Sequence, residues 1–272
     1  MTGASPAGAS AVYGPVCSWR FGSSLGVDLL LDRSICSFDC RYCQLGGIEL
    51  HTVERAVRVP TDRIARDLRR SAWRSADVVT FSGSGEPTLA ANLGEAIDLV
   101  RAETGKPVVV LTNSVLLGDP GVQRELAFAT EVCCKLDAYD EGLLHDLNRP
   151  ADTALTVREI VRRIASFRTG YRGRVSIQIM TTPQTLRIID RFIPWLAMIA
   201  ADEVQLNVPS RAIPARRIVG ARGEHDRFQA HLASRIASRA SLEAAGRRLE
   251  EALAIRVLIP PVADPRLDAV SR

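Results

Sequence analysis

Residues 77–111 read DVVTFSGSGEPTLAANLGEAIDLVRAETGKPVVVL, and the fold follows from the change of rhythm within them. Residues 77–81 form a short β-branched apolar run closed by a Gly/Ser turn, the mark of a buried strand. Residues 90–103 switch to a helical period, with Ile97 and Val100 on one face, and residues 107–111 return to a β-branched run. Strand, helix and strand in so few residues make a βαβ unit, whose two strands lie parallel.

The same alternation runs through most of the chain. Strands are predicted at 27–31, 77–81, 107–111, 131–136, 174–180 and 203–208, and helices at 61–76, 90–103, 120–130, 155–168 and 185–200. Six strands joined in this way predict an α/β protein, a partial (β/α)6 TIM-like barrel rather than the closed eight-stranded form. Residues 1–12, rich in Ala, Gly and Ser, read as a flexible leader, residues 13–211 as the barrel and residues 212–272 as a C-terminal helical cap. The cap carries a predicted helix within 226–253 and an apolar run, 255–259, stopped by Pro260-Pro261. In such a barrel, chemistry collects at the carboxyl ends of the strands, where the βα loops converge.

Composition narrows the function classes. With 46% hydrophobic and 24% charged residues over 272 positions, the chain has the make-up of a globular protein with a sizeable core. Its start lacks the basic and apolar segments of a secretion signal. Its most apolar span, 188–201, contains Asp190, Arg191 and Pro194 and is too polar for a membrane helix. A cytoplasmic protein with no membrane partner is expected, and there six cysteines serve metals or chemistry rather than disulfides. The net charge of +4 rests almost wholly on arginine, since Lys106 and Lys135 are the only lysines. Two basic stretches, Arg63, Arg66, Arg69, Arg70 and Arg74, and then Arg211, Arg216, Arg217, Arg222 and Arg227, read either as solvated faces or as phosphate-contacting surface.

Soon after the first predicted strand stands Cys36-Ser37-Phe38-Asp39-Cys40-Arg41-Tyr42-Cys43-Gln44, a C-x3-C-x2-C arrangement. Ser37, Asp39, Arg41 and Gln44 make it too polar for a core strand. Three thiolates so spaced on a loop can wrap one face of an iron–sulfur cube. The fourth iron has no local cysteine, and an open metal position is what catalysis on a bound ligand needs. Two other readings stand beside this one: three buried cysteines acting as small hydrophobes, and a zinc site that His51 or water completes.

The loop, with aromatic Tyr42 before its last cysteine, resembles the signature of the radical S-adenosylmethionine (SAM) superfamily. Gly14-Pro15-Val16, Leu25-Gly26-Val27-Asp28-Leu29, Cys43-Gln44-Leu45-Gly46, Gly85-Glu86-Pro87-Thr88 and Val204-Gln205-Leu206-Asn207 are similar to its branch of wyosine-synthase-like iron–sulfur oxidoreductases. The resemblance covers roughly residues 13–211. It implies a redox-active [4Fe-4S] cluster on Cys36, Cys40 and Cys43, SAM on the unique iron, Tyr42 among the cofactor contacts, and a reductant such as flavodoxin or ferredoxin. It further implies that the reduced cluster sends one electron into the sulfonium, that the C–S bond breaks, and that a 5′-deoxyadenosyl radical takes a hydrogen atom from the substrate. No side-chain acid or base is needed for that step, in keeping with a sequence that shows no triad or carboxylate pair.

Further candidates sit at the strand ends. Glycines in Phe81-Ser82-Gly83-Ser84-Gly85-Glu86 let the backbone approach a ligand closely. The segment is similar to the family's glycine-glycine-glutamate motif, so Gly83, Ser84, Gly85 and Glu86 are expected at the methionine end of SAM. Asn113 is expected at the ribose hydroxyls, or else in an Asx turn or helix cap. Gln178 and Met180 alternate on the fifth strand and Gln205 and Asn207 on the sixth. Asn207, at the strand end, is the better candidate for adenine or substrate contact, the alternative for each being to satisfy barrel backbone groups.

Lys135 and Asp137 share one face of the fourth strand and are the candidate catalytic residues. A lysine pointing into an apolar barrel must find an anion or lose its charge. Three roles are open to Lys135: a salt bridge to the SAM carboxylate or a substrate acid, a structural ion pair, or an imine. The last comes from the resemblance to demethylwyosine synthases, which modify tRNA and use a lysine with pyruvate. His145, Asn148 and Arg149 follow on a loop within reach of a substrate.

The chain also departs from the branch. Cys17 stands where a proline is expected and Trp19 where an arginine is, and Cys17 alone precedes the main motif, whereas the tRNA-modifying relatives hold an auxiliary cluster on several N-terminal cysteines. Cys133 and Cys134 are adjacent, point to opposite faces of a strand and read as buried hydrophobes. The reading is a radical SAM enzyme acting on a small molecule. A tRNA-modifying enzyme and a four-ligand iron–sulfur electron carrier or sensor are the alternatives.

Overall fold

The computed structural model describes residues 9–209, 213–214, 230–231 and 237–261. Its frame is one sheet in which β1 (Val12–Ser18), β2 (Gly22–Val27), β3 (Val78–Phe81), β4 (Val108–Thr112), β5 (Glu131–Lys135), β6 (Arg174–Met180), β7 (Glu203–Asn207) and β8 (Arg256–Leu258) lie side by side in that order. β1 and β2 make an antiparallel hairpin, and every neighbouring pair from β2 to β8 is parallel. The edge strands do not pair with each other. The sheet is the open, partial α/β barrel that the alternating pattern predicts.

Helices α1 (Thr61–Arg70), α2 (Leu93–Thr104), α3 (Pro120–Leu126), α4 (Val157–Gly170), α5 (Ile193–Ile199) and α6 (Arg239–Leu253) supply the outer layer. Ile64, Leu68, Ile97, Ile160 and Ile164 from the helices share one continuous core with Val79, Phe81, Val110, Val132, Cys134 and Ile177 from the strands. Strand period 2 turns the alternate residues inward. Val78, Val109 and Cys133, with Phe21 and Leu111, form a separate inner cluster, while Thr80, Lys135 and Gln178 face the cavity.

Several boundaries differ from the sequence reading, each for a local reason. The first parallel strand is Gly22–Val27, not 27–31: Asp28 accepts from Leu30 N and Leu31 N, and Leu31 takes a positive φ of 41°, so the apolar run is a buried turn. The helix expected at 61–76 ends at Arg70 and is followed by a 3-10 turn, Trp73–Ser75. That at 185–200 is broken into Pro183–Arg187, a 3-10 turn Ile189–Phe192 and α5, with Pro194 in the first turn of α5. The run at 255–259 supplies β8, which pairs with β7. Of the helix predicted within 226–253, α6 is the described part. Most of the expected leader, and Arg211, Arg216, Arg217, Arg222 and Arg227, lie outside the described residues. Among the described residues no helix is long and apolar enough to cross a membrane. In the first basic stretch, Arg63, Arg66 and Arg69 are engaged by Asp67, Asp62 and Glu103, and Arg74 stacks on Trp73.

Candidate active site

The carboxyl ends of the strands open on a cavity of about 650 Å³, within the range of small-molecule sites. Cys36, Cys40 and Cys43 line it, with Phe38, Leu45 and Ile48 beside them. Their loop is fastened by main-chain bonds on two sides. Toward β3, Ile35 N donates to Ser84 O and Glu86 N to Ile35 O, both at 2.9 Å. Toward the loop after β5, Asp39 N donates to Asn148 O at 3.0 Å, Arg41 N to Leu147 O at 2.9 Å, and Ala151 N to Ser37 O at 2.9 Å.

The three thiols lie within electrostatic reach of one another, and burial pushes the pKa of each upward, that of Cys40 to about 12. Among the described residues no three His, Cys, Asp or Glu side chains are grouped to hold a single metal ion. His51 does not join the thiols, since its Nε2 faces the Ser37 carbonyl at 3.3 Å. Three thiols on one cavity are a donor set that fits a face of an iron–sulfur cluster.

The glycine turn after β3 is shaped by the cysteine loop as much as by any ligand. Gly83 and Gly85 have φ of 141° and 148°. A Cβ on Gly85 would stand 1.8 Å from Ile35 O, and one on Gly83 2.5 Å from Asp28 Cγ. Ser84 turns into the protein, its Oγ donating to Asp28 Oδ2 at 2.7 Å. Glu86 lines the cavity. Its Oε1 accepts from Thr88 N at 3.2 Å and from Thr88 Oγ1 and Thr112 Oγ1 at 2.7 Å, and its Oε2 from Asn113 N at 2.6 Å. Burial raises its pKa, and those four bonds oppose the rise. Oε2 retains acceptor capacity. Asn113 takes the Asx-turn role, its Oδ1 accepting from Val115 N at 3.1 Å, while Nδ2 donates to Ser37 Oγ at 2.8 Å and reaches Cys36 Sγ at 3.5 Å.

A second polar group holds the far side of the loop. Tyr42 donates its hydroxyl to Asp137 Oδ2, and the same oxygen accepts from Asn148 Nδ2 at 2.9 Å. Asn148 Nδ2 also lies 3.4 Å from Cys40 Sγ. Asp137 Oδ1 accepts from Met180 N at 2.7 Å, and the side chain is fully shielded from solvent behind the cavity wall. Lys135 lines the cavity with Nζ 3.6 Å from Asp137 Oδ2 and 5.1 Å from the Tyr42 ring centroid. Burial works to lower its pKa, but Asp137 and Cys40 outweigh that and hold it above the ordinary lysine value. A single π-helical turn, Leu144–Asn148, aims Asn148 inward, whereas His145 is exposed and exposed Arg149 pairs with Asp39 at 3.4 Å.

Gln178, Met180 and Asn207 line the cavity, while Gln205 lies deeper, against Cys133 and Arg20. Of the remaining cysteines, Cys17 is exposed on β1 and lines the same cavity, Cys133 faces inward, and Cys134 lies in the outer core. Sequence reasoning did not single out Asp28, Ser37 or Arg20. Asp28 carried a faint signal, an acid inside the apolar run read as the strand 27–31, where it can instead accept from a turn.

A family model described as the radical SAM superfamily matches residues 33–196. A UPF0026 protein from Synechocystis sp. is 43% identical over 216 residues, which cover 79% of this chain and 81% of that one. Among solved structures, Streptococcus suis SuiB bound to S-adenosylmethionine superposes with a TM-score of 0.60 at 15% identity, over 84% of this chain and 48% of SuiB. Native anSMEcpe with bound AdoMet and Cp18Cys peptide gives 0.58 at 16% identity, over 87% of this chain and 62% of that chain. The chain thus spans about half the length of SuiB, with which it shares the open-barrel fold.

Proposed function

Because the chain belongs to the radical SAM superfamily of enzymes, we propose that Cys36, Cys40 and Cys43 hold a [4Fe-4S] cluster and that the cavity beside them takes SAM. The observation that carries this is the sharing of one cavity by the three thiols, the glycine turn and Glu86. When bound, the pair supplies one-electron chemistry, the reductive cleavage of a C–S bond of SAM and the removal of a hydrogen atom from a substrate.

The chain's own residues hold and orient. Asn113 and Asn148 aim amide donors at Cys36 Sγ and Cys40 Sγ, and donors to thiolates steady a cluster and tune its potential. Glu86, already oriented by four donors, offers its open Oε2 lone pair to the SAM ammonium. Lys135 is kept a cation by its ion pair with Asp137, the structural role among the three, which disfavours an imine and leaves its remaining N–H donors for the SAM carboxylate or a substrate acid. Asp137 acts as a positioning residue for Tyr42, Asn148 and Lys135. Asn207 and Gln178 remain for adenine or substrate, while Phe38, Leu45 and Ile48 keep water from the cysteines.

The substrate we propose is a small molecule, the reductant a flavodoxin or ferredoxin, and the compartment the cytoplasm. The test is anaerobic iron–sulfur reconstitution followed by SAM and dithionite. About four iron atoms per chain and slow formation of 5′-deoxyadenosine are expected, with both lost in Cys40→Ala. A zinc-loaded chain, or an intact cluster that cleaves no SAM, would overturn the reading. Faster turnover on addition of bulk tRNA would move the assignment to the wyosine-like branch.

A further inference from the structure

We infer that the floor of the cavity is an anion site in which Arg20 receives a phosphate or carboxylate group of the substrate. The inference rests on the enzymatic reading above and adds a substrate class to it. Arg20 lies in the turn between β1 and β2, at the amino ends of the parallel strands and so opposite the cysteine loop, and it lines the same cavity. Its guanidinium carbon stands 5.0 Å from the Phe21 ring and 5.8 Å from the Trp19 ring. Nη1 donates to Gln205 Oε1 at 3.3 Å and reaches Cys133 Sγ at 3.8 Å, both uncharged groups. Nε is buried with no hydrogen-bond partner.

A shielded guanidinium ordinarily has a carboxylate partner. Here the nearby acids are engaged elsewhere. Glu131 accepts from Ser176 Oγ at 2.7 Å and pairs with Arg174 at 3.7 Å, and it feels the Arg20 charge only from beyond contact. Glu203 pairs with Arg174 at 3.0 Å and accepts from Gln205 Nε2 at 3.1 Å. Among the described residues no Asp or Glu oxygen comes within 4.0 Å of Arg20. Glu86, the acidic residue on the described cavity wall, is held by Thr88, Thr112 and Asn113, and Lys135 is matched by Asp137.

Arg20 is therefore a cation of the cavity with no carboxylate in contact and a buried Nε left open, and its planar fork fits a carboxylate or phosphate. The rise of β2 puts the turn roughly 16 Å from the cysteine end. A small molecule held on Arg20 by its anion extends from there toward the thiols, which leaves the Glu86 and Asn113 end of the cavity to SAM.

Calorimetric titration of the reconstituted full chain with inorganic phosphate, with malonate and with neutral malonamide tests this. Saturable binding of phosphate or malonate and none of malonamide is expected, and whichever anion binds more tightly identifies the group. Loss of one charge-assisted contact weakens binding by about tenfold or more in Arg20→Gln, and by less in Arg20→Lys. A chain carrying Trp73→Phe and Trp195→Phe reports through Trp19 alone, and its fluorescence should saturate at the same anion concentration, which keeps the test open if Arg20→Gln does not fold. Equal affinity in native and Arg20→Gln chains, or an unresponsive Trp19, overturns the proposal. SAM cleavage by the native chain is measured on the same preparation. Cleavage without anion binding overturns the anion site alone, whereas Arg20-dependent binding without cleavage supports the site and sinks the enzymatic reading.

Discussion

Two residues show how much of the site is fixed by single atoms. Gly85 is where the cysteine loop and the turn after β3 touch, and its missing Cβ is the space Ile35 O occupies, 1.8 Å from where that atom would sit. Gly85→Ala adds a backbone clash to a strained φ of 148° and should cost about 3 kcal/mol or more in urea unfolding, with less iron taken up on reconstitution. Gly105→Ala is the control. It has φ of 63° at the end of α2 but nothing within 4 Å, so strain alone should cost about 1 kcal/mol and iron uptake should not change. Asn148 tests the opposite wall. In Asn148→Ala the buried Asp137 carboxylate loses the 2.9 Å donor from that side chain and Cys40 its amide neighbour, a change expected to cost about 1–3 kcal/mol in the same assay and to lower the reduction potential of the reconstituted cluster.

At the scale of elements, what the sequence shows depends on whether the signal is local. The parallel strands β3 to β7 are short, largely buried runs, β-branched in β3, β4 and β6, and they are legible without any partner. β2 is not, because Gly22, Ser23, Ser24 and Gly26 carry little strand propensity. Its Gly26 is a product of the hairpin: a Cβ there would lie 2.0 Å from the ring of Tyr13 on β1. The cysteines and the glycine turn are readable because their chemistry is written within a few positions. Asn148 meets Cys40 across 108 residues and Arg20 meets Cys133 across 113, and no local pattern announces either contact. α4 shows the local case most clearly. Thr156 and Glu159 cap each other's backbone N–H in a capping box, so Thr156→Ala should cost about 1 kcal/mol and lower the midpoint of thermal unfolding by about 2–4 °C, while Thr156→Ser changes it little.

For the whole molecule the question is whether the barrel needs the cluster in order to fold. Small metal-folded domains lose their structure with the metal, because the metal replaces a core they lack. This chain has a continuous core from Val12 through the strands and helices to Leu249, and the cysteine loop touches it only through Phe38, Cys36 and Cys40. The loop's own backbone is tied to Ser84, Leu147, Asn148, Arg149 and Ala151 by hydrogen bonds in which no cysteine side chain takes part. The loop proposed to hold the cluster is therefore tied in place by its own backbone, and burial pushes the pKa of its three thiols upward. Replacing Cys36, Cys40 and Cys43 together by serine should leave the far-UV circular dichroism of the cluster-free chain unchanged and should cost about 1 kcal/mol per site. Unfolding should stay cooperative, and reconstitution should raise the thermal midpoint of the native chain but not of the triple variant. Collapse of the circular dichroism signal in the triple variant would show instead that the barrel, like a metal-folded domain, depends on its cysteine loop.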